Sequence, residues 1–139
     1  MSQVENLVDQ IVINYKNTYT DDIIALRVNA DYSSNSKNSN CENPNVLLLL
    51  KTNKVIEGEY YKTDDENFKY GETTLTEFDN LNDAIVKFLL VAKLNKHHIV
   101  DTEYMYDGDY NVIELSTVNN EHFHIFNDKY NDVFLKSCQ

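Results

Sequence analysis

VLLLLKTNKVIEGEYYK, residues 46–62, decides the fold. Leu47 to Leu50 are apolar at consecutive positions, and because strand side chains alternate between faces, such a run is apolar on both. A strand of this kind sits in the middle of a sheet with a layer on each side, or lends one side to a partner. Asn53-Lys54 separates it from Val55 to Lys62 and predicts a tight hairpin, with a weaker turn pair than Asn-Gly.

Upstream, SSNSKNSNCENPN, residues 33–45, has little to bury and favours local side-chain turns, so it reads as a mobile surface loop. From Asp22 to Tyr32 the period is two. Ile24, Leu26, Val28, Ala30 and Tyr32 alternate with Ala25, Arg27, Asn29 and Asp31, which predicts a strand with one wet face. The chain opens on a helix: Ser2 and Glu5 form a capping box, and Val4, Leu7, Val8, Ile11, Val12 and Tyr15 recur on one face.

Downstream, KTDDENFKYGE, residues 62–72, reads as an acidic connection, followed by capping residues at Thr74, Thr76 and Asp79. Helix 80–95 then places Leu81, Ala84, Ile85, Phe88, Leu89 and Ala92 on one face, widened by Val86, Leu90, Val91 and Leu94. It is apolar nearly all round and is expected to be the most buried element. HHIVDTEYMY, YNVIELSTV and EHFHIF, joined by Asp107-Gly108 and Asn119-Asn120, read as a three-stranded meander. A short closing helix is expected near the C-terminus, with Asp128 as cap and Tyr130, Val133 and Phe134 on one side. The order α-β-β-β-α-β-β-β-α points to one α+β domain over residues 1–139, an antiparallel or mixed sheet of about six strands packed on helices.

With 139 residues and 42% hydrophobic content, the chain can bury a sizeable core without staples. Cys41 and Cys138 lack metal or redox spacing and read as free thiols in a reducing compartment. MSQVENLVDQ has neither a basic leader nor an apolar core, and no run approaches the roughly 18 apolar residues of a membrane span. A cytoplasmic address and no membrane partner are expected. Charge is the outlier: 23 acidic residues stand against 12 basic, a net −11, and the only arginine is Arg27. Such a surface repels nucleic acid and steers toward basic proteins, although acidity also serves plain solubility.

His122 and His124, two apart in EHFHIF, share one strand face while Phe123 and Ile125 take the other. Zinc binding there would need His97, His98, Asp101 or Glu103 alongside, and the simpler expectation is a solvated face with no metal. Replacing both histidines by alanine is then expected to cost under about 1 kcal/mol. Asp107, Asp109 and Asn111 begin like a calcium loop, but Val112 and Val118 stand where glycine and glutamate are required. Gly58, Gly71 and Gly108 are too scattered to cradle a phosphate. No nucleophile motif is present, and the abundant carboxylate pairs are uninformative in so acidic a chain. No catalytic residue or cofactor is implied.

The remaining pattern is aromatic and acidic. Tyr61, Tyr104 and Tyr106 lie near Asp64, Asp65, Glu103, Asp107 and Asp109. Tyrosine anchors within a carboxylate rim suit capture of a basic protein, while strand structure and composition alone also explain tyrosines. The expectation is a small acidic inhibitor that neutralises a basic partner, as an immunity protein or antitoxin against a nuclease-like toxin would, or a viral or phage inhibitor of a host protein. The alternatives are a small metal-dependent or carboxylate enzyme using His122 and His124 with nearby acids, and a ligand-binding α+β domain.

Overall fold

The computed structural model describes residues 3–19, 22–29, 46–62, 68–107, 110–118, 121–126 and 134. The loop 33–45, the capping residue Ser2, Asp64, Asp65 and Asp109 lie outside them. The elements in chain order are α1 (Gln3–Tyr19), β1 (Ile23–Asn29), β2 (Val46–Leu50), β3 (Lys54–Lys62), β4 (Phe68–Glu77), α2 (Leu81–Ala92), β5 (Ile99–Asp107), β6 (Tyr110–Thr117) and β7 (Glu121–Ile125). The strands form one sheet of order β4-β3-β2-β1-β7-β6-β5, and every neighbouring pair is antiparallel.

The sequence expectation of an α+β protein with an antiparallel sheet therefore holds, with seven strands in place of about six. The added strand, β4, falls where the sequence reads as a connection. FKYGETTLTE pairs with β3 from Lys54↔Glu77 to Lys62↔Phe68. As an edge strand it need not alternate apolar and polar residues; its threonines supply β-propensity without a hydrophobic signal. The helix cap moves accordingly: Asn80, in extended conformation, caps α2 by accepting from the Asp83 amide at 2.9 Å.

Leu47 and Leu49 face one core and Val46, Leu48 and Leu50 the other, so β2 is covered on both sides as its unbroken apolar run requires. One core joins α2, through Ala84, Ile85, Phe88 and Ala92, to Leu47, Leu49, Val55, Leu115, Phe123 and Ile125. The other joins α1, through Ile11, Val12 and Tyr15, to Leu26, Val28, Leu48, Ile56 and Phe126. Tyr15 crosses β3 closely: a Cβ at Gly58 would lie 3.5 Å from its hydroxyl and 3.1 Å from Thr73 Cγ2. The topology explains why α2 is central. β4 lies at one edge and β5 at the other, so the segment between them must traverse the sheet. Phe134 is helical and buried, edge-on to Phe88 at 5.6 Å; the rest of the expected closing helix lies outside the described residues.

Two further expectations change. β1 has no wet face, because β2 and β7 flank it and a helix covers each side. Arg27 is buried instead. Its Nη1 donates to the Ala92 carbonyl at 3.3 Å and to Glu121 Oε2 at 3.4 Å, joining the end of α2 to β7. The hairpin after β2 turns through Lys51–Asn53, with Asn53 at φ 64° and its amide bonded to the Leu50 carbonyl at 3.2 Å. Asparagine tolerates that left-handed position at the end of a short hairpin loop.

Candidate functional site

Strand direction separates the residues that the sequence groups into one binding rim. β3 runs past the level of Val46 and Val28 to Tyr61 and Lys62, the end at which β1 finishes. β5 runs the other way: Tyr104 lies opposite Ile113 and hence level with Ile125 and Ala25, where β1 starts, and Tyr106 and Asp107 continue beyond. Tyr61 thus lies at one corner of the sheet, and Tyr106 and Asp107 at the diagonally opposite corner. Five strand spacings, about 24 Å, separate β3 from β5 across the sheet. Tyr61 cannot share a compact epitope with Tyr104.

What remains together is the edge strand β5. Asp101, Thr102, Glu103 and Tyr104 are all exposed there, and Tyr104, at 70%, is the most exposed large hydrophobic side chain among the described residues. A bulge between Ile99 and Asp101 interrupts the pairing with β6. The outer edge of β5 pairs with no strand among the described residues, so its backbone groups face outward, with Asp101 and Glu103 on the face shared with Ser116 and Glu114 and Tyr104 on the face shared with Ile113. Such an edge is a template for an extended segment of another chain.

A second polar row lies on the α1 side of β6 and β7. Glu114 stands opposite His124 and Ser116 opposite His122. Nδ1 of His124 lies 3.2 Å from Glu114 Oε1, and Nδ1 of His122 lies 3.3 Å from the Ser116 hydroxyl. The expectation of two solvated histidines fails for His124, which is buried; His122 is half-buried. The His124 ring stacks on Phe126, with centroids 6.0 Å apart, and Lys16 Nζ of α1 lies 5.2 Å from the Phe126 ring centre. Burial first, then His122 and Lys16, push the His124 pKa down to about 3. The Glu114 carboxylate, 3.2 Å from Nδ1, would favour the charged ring, and burial outweighs it. His97 and His98, in a single 3-10 turn before β5, are exposed. Among the described residues no three His, Cys, Asp or Glu side chains are grouped to hold a metal ion.

The histidine has a consequence for stability. An unfolded chain binds a proton at His124 near pH 6.5, whereas the folded chain resists it down to about pH 3. The unfolded state therefore holds more protons between those values, and stability, complete above pH 6.5, falls as pH drops. From pH 7 to pH 5 this single site removes about 2 kcal/mol. Urea denaturation at the two pH values is expected to show that loss in the wild type and a markedly smaller one in His124→Gln; equal losses would mean that His124 is not held neutral.

No helix among the described residues is long and apolar enough to cross a membrane. Comparison of the chain with protein-family models, curated proteins and solved structures finds no match.

Proposed function

We propose that the chain is an acidic protein-binding module that holds a basic protein partner along the β5 edge, in the manner of an immunity protein, an antitoxin, or a viral or phage inhibitor. The observation that carries this reading is Tyr104, 70% exposed on a strand whose outer edge pairs with no strand among the described residues, with Asp101 and Glu103 exposed on the other face of the same strand. A large ring in water gains most by being covered, and tyrosine does so at low entropic cost. Asp101 and Glu103, within a chain of net charge −11, would draw in a lysine- or arginine-rich segment and pair with it at the rim. Tyr106 and Asp107 extend the same strand, and Asp109, outside the described residues, follows them in sequence, whereas Tyr61 lies on β3, with Asp64 and Asp65 after it in sequence, and these three are not needed for it.

The test is capture from the native host with the wild type, Tyr104→Ala and Tyr61→Ala as baits. One basic protein retained by the wild type and Tyr61→Ala, and lost or strongly depleted with Tyr104→Ala, is the expected result. Equal retention by all three baits would remove the β5 edge from the account. A second reading, a small enzyme built on the Glu114–His124 and Ser116–His122 contacts, would be favoured by stoichiometric zinc that His122→Ala with His124→Ala abolishes.

A further inference from the structure

The outward face of α2 carries an unexplained pair. Val86 and Leu90 are 57% and 69% exposed in a helix whose opposite face, Ala84, Ile85, Phe88 and Ala92, is buried. The sequence expectation of a helix buried nearly all round fails here, because one sheet can cover only one side. Asp83, also exposed, continues the same line, and positions 83, 86 and 90 follow steps of three and four, which keep residues on a single seam of a helix. Lys93, exposed, is the C-cap just past the helix, in left-handed conformation at φ 54°. Asp83 lies three residues before Val86, and Lys93 three residues after Leu90.

That arrangement is complementary to itself when reversed. We propose that α2 packs antiparallel against α2 of a second copy, about a twofold axis midway between Val86 and Leu90. Val86 then meets the partner's Leu90, and Asp83 meets the partner's Lys93, each contact occurring twice as an isologous interface requires. Asp83 near the start of a helix and Lys93 at its end also suit the helix dipole, but the dipole gives no reason for two large apolar side chains to stand in water between them. A basic partner would complement Asp83 and be repelled by Lys93, whereas a second copy complements both. Two chains of net charge −11 repel at long range; at physiological salt that repulsion is screened beyond about 8 Å, while contacts within the seam are not.

Sedimentation equilibrium at physiological salt, over a concentration series reaching the millimolar range, tests the pairing. The wild type is expected to rise from its 16.2 kDa monomer mass toward twice that value, and Leu90→Lys to remain at monomer mass. Asp83→Lys alone and Lys93→Asp alone each place like charges opposite one another and are expected to associate at least tenfold more weakly. Their equimolar mixture restores both opposite-charge contacts and is expected to recover association. All the altered positions are exposed, and circular dichroism melting checks that each variant is folded. A wild type that stays monomeric, a Leu90→Lys variant that still associates, or a mixture no heavier than its two components would overturn the proposal.

Discussion

Phe88→Asp is expected to leave the chain unfolded at room temperature. Phe88 is fully buried between α2 and the sheet, against Phe134 and in the same cluster as Leu47, Leu49 and Val55. Truncating a buried phenylalanine costs about 3–5 kcal/mol. An aspartate placed there adds an ion without a partner, at a further several kcal/mol unless it takes up a proton. The sum is comparable with the whole stability of a typical domain, about 5–15 kcal/mol. Val86→Asp, two residues away on the outward face, is expected to shift the stability of the monomer by no more than about 0.5 kcal/mol. Far-ultraviolet circular dichroism and thermal melting read both variants. A wild-type melting temperature for Phe88→Asp would show that α2 does not face the sheet as described.

Arg27→Ala is expected to destabilise by about 3–5 kcal/mol, the usual cost of removing one member of a buried ion pair. The guanidinium is buried and joins three separate pieces: β1, the last carbonyls of α2, and Glu121 of β7. Removing it leaves the Glu121 carboxylate, only 16% exposed, without this cation and strips a donor from the helix end. Because the penalty comes chiefly from the uncompensated partner, Arg27→Met with Glu121→Leu is expected to recover most of the loss. Urea denaturation of the single and double variants decides it. A cost below about 1 kcal/mol for Arg27→Ala would mean that the arginine reaches water in solution.

The elements legible in the sequence were those whose local pattern has one physical solution. Five consecutive apolar residues in β2 require cover on both faces, the Asp-Gly pair between alternating runs requires a hairpin, and the inner stripe of α2 requires a sheet beneath it. What escaped depended on distant chain. Arg27 alternates as though solvated, and its burial rests on Glu121, 94 residues away, and on the end of α2. His124 likewise has a polar neighbour on its own strand face, and only the packing of Phe126 and α1 encloses it. β4 carries few apolar residues because an edge strand is not obliged to bury them.

The binding residues show the same limit. Proximity in sequence suggested one acidic, tyrosine-bearing surface, yet strands alternate direction across an antiparallel sheet. The β3 and β5 ends accordingly fall at opposite corners. The signal that could have separated them is the strand order, which requires the pairing of β1 with β7. No local pattern in the sequence encodes that pairing.

The central claim, that a basic partner is captured at the β5 edge, is tested most directly by association and dissociation kinetics with the captured partner across a salt series. For the wild type, the association rate is expected to fall steeply with salt while dissociation changes little, the behaviour of screened steering around a desolvated anchor. Glu103→Gln should slow association modestly, and Tyr104→Ala should speed dissociation and cost about 2 kcal/mol or more. Salt-independent association, with neither variant distinguishable from the wild type, would contradict the account.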